Sequence, residues 1–224
     1  MRVFDCVCAA AGLVLLSPVL IVLAAAIVVL DGTPIFFLQT RVGRKGRPFR
    51  IWKFRTMRAG SKGASITAAG DARVTAIGAV LRKYKLDELP QLFNVVRGEM
   101  SLVGPRPEVP EYVDGESPAW RAVLRVRPGI TDLATLVYRN EEDLMRGAAN
   151  ADAQYREHLQ PRKLALNISY LSTRTFWSDL RLILASIRYS LFPAKFDPEM
   201  VFRTFVHGGH SERQAHSFSY SIDR

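Results

Sequence analysis

A chain of 224 residues that is 48% apolar holds enough nonpolar material for one substantial core, which excludes wholesale disorder. Lys and Arg total 31 against 21 Asp and Glu, and a formal charge of +10 calls for an anionic partner: nucleic acid, an anionic bilayer or a phosphorylated molecule. Cys6 and Cys8 are the only cysteines, two positions apart on different sides of a helix, and no Cys/His set has zinc-site spacing. A disulfide scaffold and a zinc module are thereby excluded, and a reducing compartment is favoured.

The nonpolar residues are concentrated at the start. Residues 6–30 carry no charge and are bracketed by Asp5 and Asp31. A cleaved signal peptide has a basic start and a shorter apolar run, so it fits poorly. As a straight helix the segment would reach ~37 Å against a hydrocarbon core of ~30 Å, so length permits a span. Ser17-Pro18 at its midpoint removes one backbone hydrogen bond and predicts a kink. In lipid the carbonyl so freed needs a donor, and the Ser17 hydroxyl is placed to supply it. On this pattern a kinked spanning helix and two half-helices that enter and leave by one face are equally compatible. Arg41, Arg44, Lys45, Arg47, Arg50, Lys53, Arg55 and Arg58 follow, which marks that side as cytoplasmic by the positive-inside tendency.

Residues 34–41 and 48–54 read as two extended runs around Gly43-Arg44-Lys45-Gly46, a hairpin with Arg44 and Lys45 at its tip. Residues 60–70 are small and polar and read as a loop. Val74, Ile77, Val80 and Leu81 have helical spacing over 74–84. A second helical pattern over 86–96 places Leu89, Leu92, Phe93 and Val96 on one side. Pro90 belongs in a first turn, which sets Asp87 and Glu88 at the helix start, and Arg97-Gly98 ends it.

Gly104-Pro105-Arg106-Pro107 cannot be helical. Ser117-Pro118 opens an amphipathic helix with Trp120, Val123 and Leu124, which Pro128-Gly129 closes. Residues 161–171 and 178–191 are amphipathic helices suited to a core or to a membrane interface, the second with Leu180, Ile183, Leu184 and Ile187 on one face. The tail from 207 to 224 is polar and predicted disordered.

Asp87-Glu88 is the most informative pair. Acidic residues in a first helical turn ordinarily do no more than complement the helix dipole. Lys53, Arg55, Arg82 and Arg106, from neighbouring segments, change that reading. Paired carboxylates among cations suit a divalent metal and a phosphate sharing one site, with one carboxylate as ligand and the other attacking phosphorus. The cations then neutralise charge on the transferring group. No Walker loop and no GxGxxG is present, and no histidine is placed for a Ser-His-Asp triad.

At this point the chain resembles the bacterial sugar transferases, the monotopic polyprenyl-phosphate phosphoglycosyl transferases. The likeness runs from residue 1 to about 192 and is carried by FDCVCAAAGLVLLSPVL, RVGRKGRPFRIWKFRTM and LRKYKLDELPQLFNVVRGEMSLVGPRPE, with weaker support from RPGIT and PRKLALNISY. It implies a mixed α/β, mostly helical fold. A re-entrant membrane helix over 1–32 is broken at Ser17-Pro18, and a catalytic domain over 33–206 carries a short β-hairpin and interfacial helices. It implies Asp87 as nucleophile on the β-phosphate of a UDP-sugar, UMP release, and transfer of the phospho-sugar to polyprenyl phosphate. Glu88 would assist through Mg²⁺, with Asp87 also near the metal, and Arg82, Arg106, Lys53 and Arg55 would contact phosphate. The implied partners are the UDP-sugar, polyprenyl phosphate, inner-membrane lipids on the cytoplasmic side and downstream glycosyltransferases, with no nucleic acid. After RPGIT, where many members carry Gly, this chain reads Asp132-Leu133-Ala134. The further N-terminal membrane helices of larger relatives are not in the sequence, which suggests a minimal catalytic unit.

Two rivals compete with that reading. A non-catalytic, basic, membrane-anchored binding protein would fit the charge but has no use for Asp87-Glu88 beside Arg82, and no aromatic-interleaved basic stripe is present. A hydrolase would use the same carboxylate with water as acceptor.

Overall fold

The computed structural model describes residues 2–61, 70–145 and 150–205. It opens with α1 (Arg2–Leu15) and α2 (Ser17–Asp31), bent by 60° at their junction. Among the described residues no single helix is long and apolar enough to cross a membrane, although this bent pair qualifies jointly by length and composition. Pro18 has no N–H to give the carbonyl of Val14, and the Ser17 hydroxyl donates to that carbonyl instead, at 2.8 Å. The predicted donor is therefore the one in use.

Both ends of the bent pair are tied to the rest of the molecule. Arg2 Nη1 donates to the Val95 carbonyl at 2.7 Å, and Ser101 Oγ donates to Asp5 Oδ2 at 2.6 Å. At the far end Arg55 Nη2 donates to the carbonyls of Asp31 and Gly32, each at 2.7 Å, and so caps α2.

Strands β1 (Phe36–Val42) and β2 (Pro48–Phe54) form the predicted antiparallel hairpin, pairing Phe36 with Phe54 and Val42 with Pro48. The two-residue period puts Phe37, Gln39, Arg41, Ile51 and Lys53 on one face. The hairpin tip is pinned, with Arg44 Nε donating to the Arg125 carbonyl at 2.9 Å and the Lys45 N–H to the Leu124 carbonyl at 2.8 Å.

Helix α3 (Ala76–Lys83) starts later than predicted because Val74 bridges to Met57, after which Thr75 caps the helix by accepting from the Gly78 N–H. A Cβ at Gly78 would collide with the Thr56 carbonyl. Glycine thus lets α3 lie directly against the chain leaving β2.

Helix α4 (Gln91–Arg97) is shorter than the pattern over 86–96 suggested. Leu86–Glu88 is a separate 3-10 turn, with Lys85 left-handed at φ 55 before it. Asp87 and Glu88 consequently precede the α-helix rather than sit in its first turn. The end at Gly98 is as predicted. The buried face is not: Gln91, Asn94 and Val95 point inward, while Phe93 is 47% and Val96 40% exposed. Asn94 is drawn inside by the hairpin backbone, accepting from the Trp52 N–H at 3.0 Å and donating to the Arg50 carbonyl at 2.8 Å.

Strands β3 (Ser101–Val103) and β4 (Gly129–Thr131) pair in parallel. The strands approach so closely that a Cβ on Gly129 would enter the backbone of Gly104, and a Cβ on Gly104 would strike the Arg127 carbonyl. Helix α5 (Pro118–Val123) buries Trp120 and Val123 as expected; it stops at Leu124, and Gly129 opens β4 instead of closing α5.

Helices α6 (Leu133–Val137), α7 (Glu141–Leu144) and α8 (Ala151–Gln154) lead through a π turn, Tyr155–Leu159, into α9 (Gln160–Thr173), α10 (Phe176–Leu191) and α11 (Pro198–Phe205). Leu133, Leu136, Leu166, Leu182, Tyr189 and Val201 join in the largest core cluster. In α10 the inward positions are taken by Leu182 and Tyr189, so Leu184 and Ile187, predicted on one apolar face with Ile183, are 58% and 52% exposed. The chain is mixed α/β and mostly helical, as expected, with its strands in two-stranded pairs. The predicted tail, 207–224, and most of the predicted loop at 60–70 lie outside the described residues.

Candidate active site

The hairpin face, α3, the 3-10 turn and the Gly104–Pro107 segment converge on a cavity of about 1070 Å³. Asp87, Glu88, Arg82, Arg106, Lys53 and Arg55 all line it. Ser17 and Pro18 lie away from it, at the bend.

Glu88 is held from two sides. Lys53 Nζ donates to Oε1 at 3.1 Å, Arg106 Nη1 donates to Oε2 at 3.1 Å, and Arg106 Nη2 also donates to Oε1. Burial alone would raise this carboxyl, but Arg106 and Lys53 prevail and hold it well below the usual range. Glu88 is ionised throughout the physiological range. Arg106 is pulled down by burial and more than restored by Glu88, so it remains a fixed cation. Lys53 is pushed down to about 8 by burial, against the attraction of Glu88.

Asp87 is different. It is buried, its Oδ1 has no hydrogen-bond partner, and its carboxyl is raised by burial and then by the charge of Glu88. One acid of the pair is thus locked by cations while the other presents a bare oxygen.

Arg82 reaches the same wall, with Nε donating to Thr56 Oγ1 at 3.0 Å and Nη1 to Glu142 Oε1 at 2.9 Å. Arg55 lines the cavity, yet its Nη2 is committed to the end of α2. Its Nε and Nη1 are buried without partners.

Among the described residues no three His, Cys, Asp or Glu side chains gather into a metal cage. Mg²⁺, however, ordinarily takes one or two carboxylates together with the phosphates of its ligand. Three of the roughly four acceptor positions on the ionised Glu88 are occupied, which leaves one on Oε2, and Oδ1 of the neighbouring Asp87 has no partner. That donor set fits a hard divalent cation.

Sequence reasoning overlooked three side chains. Thr56 orients Arg82. Glu142 pairs with it. Asp132, noted as a departure from the family pattern, accepts from the Arg106 N–H through Oδ2 and from the Thr135 N–H through Oδ1, both at 2.6 Å. It caps α6 and fixes the backbone of Arg106 in one stroke. The RPGIT-D junction was visible, but only the fold brings it to Arg106.

Comparison with known proteins identifies the family. The model of the family described as "bacterial sugar transferase" matches residues 1–193. The UDP-glucose:undecaprenyl-phosphate glucose-1-phosphate transferase of Caulobacter vibrioides is 39% identical over 191 residues, covering 83% of this chain and 67% of that protein. The UDP-N-acetylgalactosamine-undecaprenyl-phosphate N-acetylgalactosaminephosphotransferase of Aeromonas hydrophila is 38% identical over 84% of this chain, but only 42% of its own length is covered. The exopolysaccharide production protein ExoY of Rhizobium meliloti is 39% identical over 69% of this chain and 75% of its own. This chain thus spans two thirds of the Caulobacter relative's length and less than half of the Aeromonas one. With the match running from α1 through α10 and over every wall of the cavity, the chain belongs to the bacterial sugar transferase family.

Proposed function

We propose that the protein transfers a sugar-1-phosphate from a UDP-sugar to a polyprenyl phosphate, undecaprenyl phosphate by analogy with its relatives, as a first membrane step in polysaccharide or glycoconjugate assembly. The observation that carries this is the bare carboxylate oxygen of Asp87 beside a Glu88 already neutralised by Lys53 and Arg106. An oxygen committed to no other group keeps its lone pairs for phosphorus.

Asp87 forms a bond to the β-phosphorus while the bond from that phosphorus to the bridging oxygen breaks, and UMP leaves with the electron pair. A phosphate oxygen of the polyprenyl carrier then attacks the same phosphorus. The aspartyl–phosphorus bond breaks, the carboxylate is regenerated, and a polyprenyl diphosphate sugar departs. Arg82, Arg106 and Lys53 offset charge on the equatorial oxygens. Mg²⁺, held by Asp87 and the open position on Glu88, would supply further neutralisation of the diphosphate.

The membrane reading is supported by the bent pair and by Val7, Val14, Leu15, Ile21, Val29 and Leu30, all exposed along it. Neither half-helix alone crosses ~30 Å of hydrocarbon at 1.5 Å per residue, and the 60° bend at Ser17-Pro18 is the break that a re-entrant pair requires. With the basic hairpin on the exit side, the catalytic part lies at the cytoplasmic face of the inner membrane.

The test uses purified protein, a UDP-sugar and undecaprenyl phosphate. UMP release that depends on the lipid, with a sugar-phosphate adduct trapped on Asp87, supports the transferase. Lipid-independent release identifies a hydrolase, and no release with any UDP-sugar removes the reading. Loss of turnover in EDTA, restored by Mg²⁺, is expected; full activity in excess EDTA would remove the metal.

A further inference from the structure

We propose that the end of the cavity formed by Arg41, Glu108, Tyr155, Glu141 and Lys163 is a hexose-recognition subsite, which selects the sugar of the donor. It rests on the transferase reading above and adds residues to which that reading gives no role.

The walls of the cavity differ in how their charges are balanced. Toward α3, among the described residues, the cations Arg58, Arg73, Arg82, Lys83 and Lys85 line the cavity with the acids Asp71 and Glu142, which pair with Arg73 and Arg82. Toward β1 and α9 each cation meets its own acid. Lys163 Nζ lies 2.7 Å from Glu141 Oε2, and Arg41 Nη1 lies 3.6 Å from Glu108 Oε2. The Tyr155 hydroxyl donates to the other Glu108 oxygen. A diphosphate prefers the first region, where cations are in excess. An uncharged polyol suits the second, because the oxygens of Glu108 and Glu141 accept from its hydroxyls and Arg41 and Lys163 donate to them. The rings of Tyr112 and Tyr155, 5.4 Å apart between centroids, add an apolar flank. A second phosphate or a nucleotide would meet Glu108 and Glu141 there.

Connectivity within the donor agrees. The sugar is joined through one oxygen to the phosphorus that Asp87 attacks, so its ring belongs beside the acid turn and off the phosphate-binding cations. Arg41 shares the hairpin face with Lys53, and Gln39, between them on that face, accepts from Arg41 Nη2 at 2.7 Å. The subsite is therefore continuous with the wall that holds Glu88.

The test measures equilibrium binding of UDP, UDP-glucose, UDP-galactose, UDP-N-acetylglucosamine and UDP-N-acetylgalactosamine to full-length protein carrying Asp87→Asn, so that no turnover intervenes. Tyr155→Phe and Glu108→Gln are compared in that background, with melting curves alongside. The expected result is that at least one UDP-hexose binds more tightly than UDP, and that the variants erase this advantage by about tenfold while UDP affinity holds. Tyr155→Phe removes a single oxygen and keeps the ring, so it remains informative if Glu108→Gln does not fold. Equal loss for UDP and every UDP-hexose, or an unchanged hexose ranking in folded variants, overturns the subsite. Absence of any hexose-dependent binding overturns it too. Turnover of the unmodified protein reports separately on the transferase reading.

Discussion

Two neighbouring carboxylates have opposite fates here because of what surrounds each. Glu88 is ionised by its two cations, whereas Asp87 is raised by burial and by Glu88 itself. A raised acid opposes folding at any pH where it is charged, so replacing it relieves the native state. Asp87→Asn is therefore expected to lower turnover by at least about 10⁴-fold while leaving the melting temperature unchanged or higher. Loss of stability together with activity would point to a structural acid. The pH profile carries a second test. Lys53, at about 8 instead of the usual 10.5, loses its charge as pH rises through that value, so kcat/KM falls on the alkaline side. On the acid side it falls as Asp87 takes up its proton. Lys53→Arg should carry the alkaline fall to higher pH, and a limb that stays near 8 would assign it to another group.

At the level of elements, the hairpin, α3, α9 and α10 were legible because turn glycines and apolar spacing report on local geometry. The inverted face of α4 was not, since Asn94 is buried to satisfy strand backbone that is remote in sequence. The site was legible in its acids and cations, whose residue types announce their chemistry. Thr56 and Glu142 were not, because their part depends on the packing of α3 over the exit of β2 and on α7 meeting Arg82. Asp132 joins both kinds of information, closing α6 and anchoring Arg106. Asp132→Ala should cost about 1–2 kcal/mol as a lost cap and reduce kcat more than UDP-sugar affinity. Asp132→Asn, which keeps one acceptor, should recover part of the stability. Thermal melts and steady-state kinetics on the two variants check this, and wild-type kinetics in Asp132→Ala would detach the residue from Arg106.

At the scale of the whole molecule, several helices leave exposed side chains that water does not favour. Phe93 and Val96 of α4 and Trp177, Leu184, Ile187 and Leu191 of α10 are exposed, as is much of α1 and α2. If the exposed face of α10 meets lipid, Leu184→Glu with Ile187→Glu should reduce co-sedimentation with anionic vesicles severalfold while the melting temperature holds, because neither side chain belongs to the core. Unchanged co-sedimentation would leave the bent pair as the sole attachment. Arg55 gives the bent pair a mechanical meaning. Just past the end of β2 it clasps the last carbonyls of the apolar pair, and two positions earlier, on β2, Lys53 grips Glu88. The bent pair and the acid turn therefore hang on one short stretch of backbone, and if the pair seats itself in lipid, that stretch fixes how far Asp87 stands from the seat.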